Sequence, residues 1–142
     1  MSNGPPDRQP GVQMKLELVI LPVTDVDRSK AFYRDVLGFA EDVDVRPAEG
    51  VRVVQLTPPG SGCSVGMGTG LPVFMDMAPG SVQGLHLVVP DIDAAREELT
   101  GRGLDINEIM DVGGGVRYAW FTDPDGNGLT LQEMAWRTGD AF

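Results

Sequence analysis

His86 is the sole histidine of this 142-residue chain and Cys63 its sole cysteine, so any acid-base or thiol chemistry has few places to reside. An imidazole on a strand has two readings, which stand level here. It is a general base or ligand hydrogen-bonder if it projects into a polar-lined bowl, and a core residue satisfied by a neighbouring carbonyl if it does not. Cys63 cannot form a disulfide within the chain, and nothing places the histidine beside it, so a small residue filling a strand is the simpler reading than a thiol nucleophile. No Ser-His-Asp order and no paired catalytic carboxylates can be assembled. Asp123 and Asp125 belong to Asp-Pro-Asp-Gly-Asn-Gly, a tight-turn sequence whose role is geometric. The glycine clusters at 60–62 and 113–115 lack the phosphate-loop patterns and read as hairpin connections. Tyr118 and Trp120 alternate onto one strand face, where aromatic plates stack on a planar ligand or seal a core. Trp136, beyond the last strand, reads as a seal or a dimer contact.

The elements that must position these residues come in two similar sets. Val23-Thr24-Asp25-Val26-Asp27 introduces an amphipathic segment, and Val89-Pro90-Asp91-Ile92-Asp93 does so again, 66 residues later. An offset near half the chain length points to internal duplication. In the first copy Asp25 or Asp27 caps a helix carrying Phe32, Val36 and Leu37, and Gly38 stands at the left-handed C-terminal position. In the second, Asp91 or Asp93 caps, Ala95 and Leu99 line one face, and Gly101 and Gly103 end the helix. Strands are expected at 16–23, 39–45, 51–57 and 63–67 in the first half and at 85–89, 106–109, 118–122 and 129–134 in the second. Each half reads βαβββ, which makes an α+β chain of two tandem modules. The expected organisation is a flexible N-terminal arm at 1–13, a first module at 14–67, a linker or apolar flap at 68–83, a second module at 84–136 and a tail at 137–142.

Composition bounds the function. Twenty-one acidic against eleven basic residues leave a net charge of -10, which repels nucleic-acid phosphates. No apolar run approaches the roughly 20 residues of a membrane span, and the first thirteen residues lack the pattern of a signal peptide. The expectation is a cytoplasmic protein with no nucleic-acid or membrane partner. The acidic charge reads either as a solvated surface, the favoured reading, or as a field that attracts a cationic ligand.

The duplicated βαβββ outline, the segment Ala31-Phe32-Tyr33-Arg34-Asp35-Val36-Leu37-Gly38-Phe39 and the closing Asp123-Pro124-Asp125-Gly126-Asn127 together resemble the vicinal oxygen chelate superfamily. That group contains glyoxalase I, bleomycin-resistance proteins, fosfomycin-resistance enzymes and extradiol dioxygenases. The resemblance implies that each half curls into a partial barrel around a cavity holding a metal or a sequestered drug. It puts the family's metal positions at Leu18, Gln55, Gly84 and Thr130, of which only Gln55 is a residue type the family uses. A catalytic divalent ion wants three strong imidazole, thiolate or carboxylate ligands. The metal site therefore looks dismantled, the expected cofactor is none, and an extradiol dioxygenase is disfavoured by the single histidine. A relocated metal using His86 with Gln55, Gln132 or Glu133 is the minority reading.

Strand alternation puts Leu16, Leu18 and Ile20 on one face, and likewise Val53, Gln55 and Thr57, then Gly84, His86 and Val88, then Thr130 and Gln132. The resemblance turns these faces toward the cavity. The expected ligand-binding set is thus Leu18, Ile20, Gln55, Thr57, His86, Tyr118, Trp120, Thr130 and Gln132. The leading expectation is metal-independent sequestration of a small, partly apolar, aromatic or cationic molecule. The alternative is a glyoxalase-like lyase or isomerase with His86 as catalytic base or with a relocated divalent metal. Homodimer formation is implied by the family's habit of pairing subunits.

Overall fold

The computed structural model describes residues 11–142, and most of the segment read as an N-terminal arm lies outside them. Among the described residues, eight strands form two four-stranded sheets accompanied by three α-helices, giving the α+β fold of two tandem βαβββ modules. Two compact units result: one made of Met14–Gln83 and Thr122–Gly128, the other built from Gly84–Phe121 and Leu129–Phe142.

In the first unit, strand β1 (Leu18–Ile20) leads to helix α1 (Val26–Ala31), followed by a π-helical turn (Phe32–Val36) and strands β2 (Ala40–Ala48), β3 (Val51–Thr57) and β4 (Ser64–Thr69). The sheet order is β1-β4-β3-β2, with β1 parallel to β4 and the other pairs antiparallel. The Asp25 carboxylate accepts from the Arg28 N–H at 3.1 Å and so caps α1. Gly38, at φ 80°, supplies the left-handed conformation that ends the helical segment. Arg52, Val54 and Leu56 of β3 are buried, whereas Val53, Gln55 and Thr57 between them are half-buried. This alternation puts the core between the sheet and the helix and leaves the other sheet face open.

Arg52 shows how a charge is accommodated on the helix side. It is 7% exposed and meets Asp44 through Nε at 3.0 Å and Nη2 at 2.9 Å, while Nη1 donates to Asp27 at 2.7 Å. Lys30 of α1 pairs with the same Asp44 at 2.7 Å and with Glu41 at 2.9 Å. The two cations hold the Asp44 carboxyl well below its ordinary value, the Arg52 hydrogen bonds contributing most.

In the second unit the order is β5-β8-β7-β6, from strands β5 (Leu85–Val88), β6 (Met110–Gly113), β7 (Val116–Thr122) and β8 (Gly128–Met134). Helix α3 (Ile92–Gly101) starts under the Asp91 cap, whose carboxylate accepts from the Ala94 N–H at 3.1 Å. Ile92 and Leu99, seven positions apart, bury its apolar face.

Several expected boundaries move. The first strand is confined to Leu18–Ile20, and Leu16, expected to share its inward face, lies outside it at 78% exposure. The strand expected at 106–109 forms instead at Met110–Gly113. Leu104 and Ile106 are buried as core, and the Arg96 guanidinium occupies the carbonyls of Asn107 at 2.7 Å and Ile106 at 3.2 Å, taking acceptors that a ladder would have used. Gly101 is the last residue of α3 rather than its stop, and Gly103, at φ 95°, takes the left-handed role. The linker contains a short helix, α2 (Pro72–Met75), started by Pro72 at its first position. Both glycine clusters do connect hairpin strands, β3 to β4 and β6 to β7.

Candidate functional site

The open face of the first sheet is floored by a glycine. Gly66 pairs with Ile20 on one side and Gln55 on the other. A Cβ added at Gly66 would lie 3.0 Å from the Leu18 side chain and 3.1 Å from that of Ile20, so these two apolar chains flank the space above it. Thr57 joins the same face, with its Oγ1 at 2.6 Å from the Ser64 Oγ and donating to the Asp42 carboxylate. Leu18, Ile20, Gln55 and Thr57 are therefore brought together, as alternation predicts. At the Gly68 end the ring of Phe74 from α2 lies where a side chain on residue 68 would have been. Beside it, Val23, Gly68, Thr69, Gly70, Phe74 and Met75 contribute to a recess of about 250 Å³.

The open face of the second sheet carries the other expected residues. His86 is the register partner of Thr130, and Val88 that of Gln132. The rings of His86 and Tyr118 meet edge-on with centroids 5.7 Å apart. Trp120 is 44% exposed, and its backbone N–H donates to the Asn107 side-chain oxygen at 2.6 Å, which anchors β7 at the tryptophan. The His86 Nδ1 is 2.6 Å from the Gly84 carbonyl, yet the residue is exposed rather than core. Because a carbonyl only accepts, Nδ1 carries the proton, and Nε2 of the neutral ring is left as an acceptor. The opposite face of this sheet is structural: Glu133 accepts from Arg117 at 2.9 Å and from the Ile92 N–H at 3.1 Å, which occupies it as a helix anchor.

The turn carboxylates are engaged in holding structure. Asp123, 4% exposed, accepts from the N–H groups of Asp125 and Asn127, each at 2.9 Å, from the Asn127 side chain at 2.9 Å and from the Tyr33 hydroxyl at 2.8 Å. Burial, and then the charge of Asp123, push the Tyr33 phenol far above its ordinary value, so it remains a donor. Asp125 accepts from the Thr24 hydroxyl at 2.6 Å and from Ser29 at 3.3 Å.

A divalent metal does not fit the four positions that the family resemblance implies for it. Leu18 and Gly84 offer no side-chain donor, and Gln55 and Thr130 offer a neutral amide oxygen and a hydroxyl, short of the three strong ligands a catalytic ion needs. Among the described residues no group of three or more His, Cys, Asp or Glu side chains is placed to hold a metal ion. Nor is any helix among them long and apolar enough to cross a membrane. Asp42 is the feature that alternation missed, because it sits at an irregularity in the β2-β3 register.

Comparison with known proteins agrees with this architecture. TnmS3, an antibiotic binding protein from Streptomyces sp. CB03234, is 31% identical, with a TM-score of 0.75 over 87% of this chain and 98% of its own. A glyoxalase/bleomycin resistance protein from the same Streptomyces strain is 33% identical, with a TM-score of 0.68 over 82% of this chain and 98% of its own. A member of the glyoxalase/bleomycin resistance protein/dioxygenase superfamily from Sphaerobacter thermophilus DSM 20745 is 32% identical, with a TM-score of 0.72 over 85% of this chain and 98% of its own. No curated protein matches. The family model for the Glyoxalase/Bleomycin resistance protein/Dioxygenase superfamily matches residues 15–131, and the chain belongs to that superfamily.

Proposed function

We propose that this protein binds and sequesters a small, partly apolar molecule of aromatic or cationic character without the help of a metal. The observation that carries the reading is the composition of the second sheet's open face. Tyr118 and Trp120 offer aromatic planes, Thr130 and Gln132 offer neutral hydrogen-bonding groups, and His86 offers an acceptor nitrogen. Small-molecule surfaces combine these ingredients, mostly apolar area with a few placed polar groups. The first sheet offers Leu18 and Ile20 beside Gln55 and Thr57. Each face is a binding surface in its own right. The likeness to an antibiotic binding protein of similar length supports the same reading. Titrating aromatic antibiotics and dyes while following tryptophan emission, with chelator present throughout, tests it. Saturable binding of no more than one ligand per sheet face is expected, and no saturable response across the panel would overturn the reading.

The Nε2 of His86, without a hydrogen-bond partner among the described residues, favours one second reading, a glyoxalase-like lyase or isomerase in which that nitrogen takes up a substrate proton while the Gln132 amide steadies the developing oxyanion. His86→Ala separates the two. It abolishes turnover of a glyoxalase-type substrate under the enzymatic reading and changes only affinity under sequestration.

A further inference from the structure

We infer that Asp42 is a cation-recognising residue on the open face of the first sheet, taking the ammonium or amidinium group of a ligand whose apolar body rests on that face. The inference depends on the reading that the chain binds a small molecule, and it names a chemical class for it. Strand β2 carries three acids within four positions, and they are treated differently. Glu41 pairs with Lys30 at 2.9 Å and Asp44 with Lys30 at 2.7 Å and Arg52 at 2.9 Å, all on the helix side of the sheet. Asp42 has no cationic partner among the described residues.

Its orientation is built by the backbone. Glu41 is the register partner of Leu56 and Val43 that of Gln55, so Asp42 is the extra residue of a bulge. A bulge breaks strict alternation and re-aims a side chain. Here it turns the carboxylate toward Thr57, whose hydroxyl donates to Oδ2. With its hydrogen committed there, Thr57 accepts from the Ser64 hydroxyl at 2.6 Å, and Ser64 is itself buried at 9% exposure. One carboxylate oxygen is therefore held by a two-hydroxyl relay anchored in the sheet, and Oδ1 has no protein donor among the described residues.

The surroundings favour a cation with an apolar body. Leu18, Ser64, Thr57 and Asp42 form a row across the sheet's four strands, a span of roughly 14 Å at the usual interstrand spacing. Val43, Val53 and Gln55 lie on the same face by register. A carboxylate fixed at one end of an otherwise uncharged row can make a charge-assisted hydrogen bond that neutral analogues cannot. The net charge of -10 adds a favourable long-range field for the same ligands.

The test compares 9-aminoacridine, a planar cation at neutral pH, with acridine, its largely neutral counterpart, by fluorescence titration of the full chain and three variants. Asp42→Asn is expected to weaken 9-aminoacridine binding by roughly fivefold to tenfold and leave acridine within about twofold. Thr57→Val, which removes the positioning hydroxyl, moves the cation's affinity in the same direction by less. Glu41→Gln removes the same charge from the other face and leaves the preference for the cation intact. Thermal melts of each variant check that the fold persists. If acridine and 9-aminoacridine bind and Asp42→Asn shifts both equally or neither, the inference is overturned while the binding reading stands. If neither compound binds the unmodified chain, the binding reading fails and the inference with it.

Discussion

The Tyr33 hydroxyl donates to the Asp123 carboxylate at 2.8 Å, joining residues 90 positions apart in the sequence. Tyr33 is fully buried in the π-helical turn, and Asp123 holds the tight turn through two backbone N–H groups and the Asn127 side chain. Tyr33→Phe leaves that carboxylate one donor short in a dry setting and is expected to lower unfolding stability by about 1–3 kcal/mol. Asp123→Ala removes the acceptor for four bonds and costs more. Urea unfolding measures both, and a Tyr33→Phe variant as stable as the parent would show the bond to be dispensable.

Acid stability reports on Asp44. Its folded-state pKa is depressed by Arg52 and Lys30, so the unfolded chain takes up this proton first as pH falls. The stabilisation is fully present above the ordinary carboxylate range and is lost progressively as pH drops below about 4 toward the folded value. Asp44→Asn should lower stability at neutral pH and flatten the acid limb of a stability-pH curve. An unchanged acid limb would mean that this pair does not set acid sensitivity.

Two glycines of β4 should respond unequally to the same change. At Gly68 an added Cβ overlaps the Arg52 carbonyl oxygen and comes within 2.5 Å of the Phe74 ring, so Gly68→Ala must shift backbone. A loss of about 1–3 kcal/mol is expected, as for overpacked cores. At Gly66 the nearest atoms are the flexible tips of Leu18 and Ile20, and Gly66→Ala should be milder. Melting temperatures of the two variants compared side by side check the order.

Binding should separate aromatic from polar contributions on the second sheet. Trp120→Ala is expected to weaken an aromatic ligand by about tenfold, corresponding to roughly 1.4 kcal/mol of stacking and buried area. Gln132→Leu should change selectivity among ligands that differ in hydrogen-bonding groups. Calorimetric titration of both variants reads this, and unchanged affinity in Trp120→Ala would place the ligand elsewhere.

The parts of the fold legible in the sequence are those fixed locally. Asp25 and Asp91 cap helices because the short carboxylate reaches the N–H three residues on, and Gly38 adopts a conformation other residues resist. The strand at Val51–Thr57 keeps its expected bounds because its alternation is uninterrupted between turn residues. Alternation also grouped Leu18, Ile20, Gln55 and Thr57 on one face and His86, Thr130 and Gln132 on another. What escaped depends on tertiary partners. The 106–109 run looks like a strand by composition, but Ile106 is buried in the core and Arg96 takes the carbonyls of Ile106 and Asn107. Asp42 was hidden because a bulge adds a residue without a compositional mark, and its effect appears only once Thr57 is seen beside it. The partners of Tyr33 lie too far along the chain for periodicity to reveal.

The most direct test of metal-independent binding is elemental analysis of tag-free protein, followed by titration of one saturating aromatic ligand with and without excess chelator. The account predicts substoichiometric divalent metal and a Kd and melting temperature that chelator leaves unchanged. Near-stoichiometric metal, with binding and thermal stability that collapse in chelator and return with the ion, would contradict it, because an ion held only by the folded state stabilises that state.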